Sequence, residues 1–142
     1  MASVEDSWFQ SAKQGRDDDL KELVPQIKDV NKTDSMGNTA LIYAAAGGHH
    51  QSVQVLLQSK ATVNHQNRAG ETAVHKAAWK GSVETVKSLV DAGADLTLKN
   101  SQGQTAKAVA KNAQTAELLD PPTAKLWEDS EDEDKSSDEE DE

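Results

Sequence analysis

Residues 34–49 read DSMGNTALIYAAAGGH, and residues 67–82 read NRAGETAVHKAAWKGS. The second stretch restates the first 33 residues later. Gly37, Gly70 and Gly103 share this spacing, as do Thr39, Thr72 and Thr105, each followed by an alanine (Ala40, Ala73, Ala106). Ala44, Ala77 and Ala110 keep the register; so do Gly48 and Gly81, Val53 and Val86, Leu56 and Leu89, and Ala61 and Ala94. One period earlier stand Ser11, Ala12, Gly15, Leu20, Leu23, Val30 and Asn31, which match residues of the 34–66 unit. A fixed period of this length is the signature of a stacked repeat architecture.

Each period is legible in chemical terms. Thr39 is placed to cap a short helix whose apolar residues are Leu41, Ala44 and Ala45. Gly47 and Gly48 stop that helix, because glycine accepts the left-handed backbone a tight stop requires. Val53, Leu56 and Leu57 follow at helical spacing and predict a second helix. Small alanines on the first helix allow the second to pack closely. Residues 64–70 are polar and rich in turn formers, so they predict a loop or hairpin between units.

Both quoted stretches resemble the ankyrin-repeat family pattern D-x-x-G-x-T-P-L-H-x-A-A-x-x-G-H. The family's Leu-Leu-x-x-Gly-Ala-Asp is matched by LLQSKAT at 56–62 and LVDAGAD at 89–95. Departures are mild: alanine replaces proline after each threonine, Ile42 stands where histidine is usual, and Lys60 stands where glycine is usual. The resemblance covers residues 8–120 and implies an all-α ankyrin-repeat solenoid of helix pairs. Two full repeats, 34–66 and 67–99, lie between degenerate caps at 8–33 and 100–120. Residues 1–7 are a short N-terminal extension. Atypical end units suit a solenoid, whose ends have no neighbour to cover them. Trp8 and Phe9 fall in the register of the Leu41/Val74 core and are expected to be buried.

The composition agrees with a repeat fold. The chain has 142 residues, of which 35% are hydrophobic and 4% aromatic. That is thin for one globular core, but stacked units need less because each buries a face against its neighbour. With no cysteine, disulfides, thiol catalysis and cysteine-ligated metals are excluded. No apolar run approaches the roughly 18–20 residues of a membrane span, and the first residues lack the basic and apolar regions of a secretory signal. A cytoplasmic and nuclear location is expected.

The net charge of −10 is unevenly placed. Residues 128–142 hold eleven acidic side chains and Lys135, so they alone carry −10, and residues 1–127 balance 14 acidic against 14 basic. Pro121 and Pro122 are expected to end the solenoid. Residues 121–142 then form an acidic tail, expected to be disordered because nothing beyond Glu128 is hydrophobic. Trp127 just before it is assigned either to a staple between tail and body or to an interface. A polyanion repels phosphates, so nucleic acid is not an expected partner.

Catalytic and metal readings fail on residue types. There is no Gly-x-Ser-x-Gly elbow and no phosphate loop. Of the four histidines, His75 and His49 fall on family positions where the ring is structural, which leaves His50 and His65 as loop-side residues and no convergent zinc set. Asp17, Asp18 and Asp19 read as the start of a helix, where negative charge favours the dipole. No cofactor, no metal and no enzymatic activity are expected.

The resemblance implies partner binding through hairpin tips and the exposed side of the first helices. The residues it places there include Met36, Asn38, Arg68, Glu71, Trp79, Lys80, Gln102 and Gln104. Trp79 stands out, since an exposed tryptophan beside basic residues has the composition of an interface anchor. The size and the acidic end also resemble small fungal ankyrin-repeat proteins that escort a basic ribosomal protein. The expected function is therefore a monomeric, non-catalytic binding module escorting a basic protein. The alternative is a regulatory adaptor or inhibitor of signalling or transcription proteins, with the tail only keeping it in solution. Ser130, Ser136 and Ser137 each precede an acidic residue at the third place onward, a pattern favoured by acidophilic kinases.

Overall fold

A computed structural model describes residues 3–119, and all its regular structure is helical. The tail, Trp127 and the three serines lie outside the described residues. Eight helices follow in order: α1 Val4–Gln14, α2 Asp17–Leu23, α3 Ala40–Ala46, α4 His50–Gln58, α5 Ala73–Lys80, α6 Val83–Asp91, α7 Ala106–Val109 and α8 Ala113–Glu117. The odd-numbered helices pack in one row and the even-numbered in a second, each helix touching its neighbours in the row and its own pair mate. This is the expected solenoid of helix pairs.

Local chemistry explains the starts. The hydroxyls of Thr39, Thr72 and Thr105 accept the backbone N–H of Ile42, His75 and Ala108, each at 3.3 Å, satisfying an orphan donor of the first turn. The front unit departs from this scheme. Asp6 occupies the threonine's register position, but Ser3 caps the helix, accepting from the Asp6 N–H at 3.0 Å. Helix α1 therefore takes in residues 4–7, which the sequence reading left in the extension. Three aspartates open α2 as expected.

The core runs between the two rows. Trp8, Leu20, Leu41, Val53, Leu56, Val74, Val86 and Leu89 are buried, and Ala12, Ala44, Ala45, Ala77 and Ala78 are the small contact residues that let the rows approach. Leu119 closes the far end. Trp8 takes the core position predicted for it. Phe9 does not: it is half-buried, its ring meeting Tyr43 edge-on at 6.0 Å. Its register equivalent Ile42 is buried, whereas the larger Phe9 ring lies against Tyr43 of the next unit.

Residues 64–70 form turns rather than strands. The turns stack: the N–H of Arg68 donates to Met36 O at 3.1 Å, and the N–H of Ser101 donates to Ala69 O at 2.8 Å. The backbones approach so closely here that Gly70, at φ 76°, has Asn100 Cα and Ser101 N only 3.0 Å from where a Cβ would sit. Gly70 thus serves both a left-handed turn and the contact between units.

Candidate partner-binding face

The turn tips and the odd-numbered helices present one continuous surface. Its scaffold is a set of residues 33 apart that the functional reading did not use: Asp34, Asn67 and Asn100. Asp34 Oδ1 accepts the N–H groups of Met36 and Asn38 at 2.9 and 3.0 Å. Asn67 Oδ1 does the same for Ala69 and Glu71, and Asn100 Oδ1 for Gln102 and Gln104. One side-chain oxygen thereby holds two backbone donors and sets the shape of each tip.

A polar ladder then crosses the units. Lys13 Nζ lies 4.7 Å from the centre of the Tyr43 ring. The Tyr43 hydroxyl donates to Asp34 Oδ2 and accepts from Asn38 Nδ2 at 3.3 Å. Asn67 Nδ2 donates to Asn38 Oδ1 at 2.7 Å and to Glu71 Oε1 at 3.2 Å, and Lys76 Nζ sits 3.0 Å from the same Glu71 oxygen. Burial pushes the Asp34 carboxyl up, but the Tyr43 hydroxyl, two backbone N–H groups and the Lys13 charge outweigh it and hold it below the ordinary value. Burial likewise raises Glu71, and Lys76 and Asn67 bring it down overall. Burial and the neighbouring Asp34 raise the Tyr43 phenol, so it stays a donor.

The eight residues named from the sequence therefore divide. Asn38, Glu71 and Gln104 are half-buried and hydrogen-bonded within the scaffold. Arg68, Gln102 and Lys80 are exposed. Met36 and Trp79 are the exposed large hydrophobic residues among those described, at 60% and 65%. Trp79 occupies the register position of Ala46 and Lys13 in the units before it. Its ring stands between two open hollows. One, of about 410 Å³, is bounded by Glu71, Lys76, Gln102, Gln104 and Val109. The other is bounded by Lys80, Val109 and Lys111.

The histidines are structural. His75 Nε2 donates to Gln104 O at 2.9 Å, while its Nδ1 accepts the Thr72 N–H at 3.2 Å, which binds one unit to the next. His49 Nε2 donates to Lys13 O at 2.9 Å, and His65 Nε2 to Gly37 O at 2.8 Å. His50 is not loop-side as expected: it is the first residue of α4, and its Nε2 lies 3.0 Å from Ser88 Oγ. Among the described residues, no three acidic or histidine side chains converge as a metal set. No described helix is long and apolar enough to cross a membrane.

Stacked helix pairs, threonine-capped first helices and glycine tips 33 residues apart are matched by a family model over residues 8–100, described as ankyrin repeats in three copies. The chain belongs to the ankyrin-repeat family. Ankyrin repeats of this kind form a protein–protein interaction module. No curated protein matches the chain.

Tyr43, Lys76, Val109 and Lys111 belong to this face and were missed in the sequence. Tyr43 and Lys76 share a register position but not a chemistry, so the repeat pattern gave no signal for them. Asp34, Asn67 and Asn100 were legible as a 33-residue series.

Proposed function

We propose that this ankyrin-repeat protein is a non-catalytic escort that grips a partner protein across Trp79 and Met36 and captures the partner's basic segments with its acidic residues 128–142. The observation that carries the reading is Trp79, an indole 65% exposed between two hollows in a row where the neighbouring unit has alanine. A large apolar ring left in water costs solubility, and its common use is as an interface anchor. The eleven carboxylates and single lysine of 128–142 suit a polycationic client, whose association they would accelerate. Phosphate on Ser130, Ser136 and Ser137 would add about −1.5 to −2 charges each and strengthen that capture. A client of this class, a ribosomal protein among them, needs its charge masked from nucleic acid in the cytoplasm and nucleus.

Trp79→Ala tests the face. Partners recovered by the full-length protein from native extract are titrated against wild type and variant. Affinity should fall by about 2 kcal/mol, close to thirtyfold, with folding stability changed by less than about 0.5 kcal/mol. An unchanged affinity would place the interface elsewhere. The adaptor reading predicts that affinity is insensitive to salt, whereas an escort of a basic client loses affinity steeply as salt rises.

A further inference from the structure

The hollow beside Trp79 holds two cations that nothing described answers. Lys80 ends α5, and Lys111 lies in the turn between α7 and α8. The Lys111 N–H donates to Ala78 O at 2.9 Å, which fixes its backbone against the end of α5. With Trp79 and Val109 the two lysines bound one hollow. Among the described residues the ion pairs are Arg16–Asp19 and Lys76–Glu71, and neither Lys80 nor Lys111 takes part in one. An exposed indole with two unpaired ammonium groups suits an extended acidic segment that carries an apolar side chain.

We propose that in the free protein this hollow takes residues 120–142 of the same chain, their carboxylates answering Lys80 and Lys111. The chemistry matches: Leu126 and Trp127 directly precede eleven carboxylates and one lysine. The tether reaches. Leu119 is buried, and it lies eight residues beyond Lys111 with the five-residue α8 between them. Nine residues from Leu119 to Glu128 span up to about 30 Å when extended, whereas a helix of α8's length covers only about 8 Å. A short tether also supplies an effective concentration in the millimolar range, so weak pairing suffices. This deepens the proposed function, on which it rests for the use of the same face.

Zero-length carbodiimide cross-linking of the full-length protein, dilute and without partner, tests it. Peptide mass spectrometry then reads which lysines join carboxylates of 128–142. Links from Lys80 and Lys111 are expected at several-fold the yield of links from the exposed Lys21, Lys28 and Lys87, within the monomer. The excess should vanish in 1 M salt, where screening acts over about 3 Å. Trp79→Ala, which keeps both lysines, should also reduce it. An even spread over all exposed lysines, or no links at Lys80 and Lys111, overturns the proposal. Links found only in a dimer also overturn it and make a second copy the occupant. Because no partner is present, failure here leaves the Trp79 face untouched, and failure of the Trp79→Ala titration leaves these links to be seen.

Discussion

Alanine placed in turn at Gly70 and Gly103 separates two costs that a stacked turn combines. Both glycines have the same backbone, at φ 76° and 77°. A left-handed conformation costs an L-residue roughly 1–2 kcal/mol, so this part of the penalty is common to both sites. The surroundings differ. Among the described residues a Cβ at Gly103 meets nothing within 4 Å, whereas one at Gly70 comes within 3.0 Å of Asn100 Cα and Ser101 N and 3.1 Å of Asn100 C. Those are backbone atoms and cannot rotate away. The next turn must shift, and with it the 2.8 Å bond from Ser101 to Ala69. Overpacking of this kind adds about 1–3 kcal/mol. Gly103→Ala should therefore cost about 1 kcal/mol and Gly70→Ala about 2–4 kcal/mol. Melting temperatures should drop by about 5 °C and about 10–20 °C respectively. Urea unfolding followed by circular dichroism gives both values. Equal losses at the two sites would refute the argument that the contact between turns, rather than the turn itself, demands glycine at 70.

Lys60 has φ 68° where the equivalent Gly93 has φ 98°, so Lys60→Gly should stabilise the fold by about 0.5–1 kcal/mol after the unfolded-state entropy of glycine is subtracted; a lower urea midpoint would contradict this. Asp34 and Glu71 titrate below their ordinary 3.8 and 4.5 in the folded chain. The unfolded chain therefore takes up these protons first as pH falls, and the stability they give is present above about pH 5 and lost progressively on acidification below it. Asp34→Asn should keep its turn, since Asn67 and Asn100 do the same work with an amide oxygen, while making the acid loss shallower. Melts from pH 7 to pH 3 would show this, and an unchanged acid limb would remove Asp34 from the account.

The architecture was legible in the amino-acid pattern, because a repeat writes its rules several times. Threonine at 39, 72 and 105, glycine at 37, 70 and 103, and alanine at 44 and 77 each answer a need that depends only on neighbours in the same or the next unit. Contacts of that range appear as a period. The front cap was less legible for the same reason: with one neighbour instead of two, it lengthened α1 to a Ser3 cap, and one period cannot show a departure from itself. Exposure of Trp79 was legible as well, from its place on the repeat.

Tertiary structure decided what the register cannot encode. Phe9 is only half-buried, its ring edge-on to Tyr43, although its register equivalent Ile42 is core. Asn38, which looks like a free surface group in the sequence, is held by Asn67 across the gap between units, and Glu71 by Asn67 and Lys76 of its own unit. Tyr43 and Lys76 became part of one ladder although the first anchors to Asp34 and the second to Glu71. Lys111 joined Lys80 beside Trp79 only because its backbone is bonded to Ala78, 33 residues earlier in the chain. Such pairings depend on which side chains the stacked helices bring within a few ångströms, and a side chain that occurs in one unit alone leaves no period from which to read them.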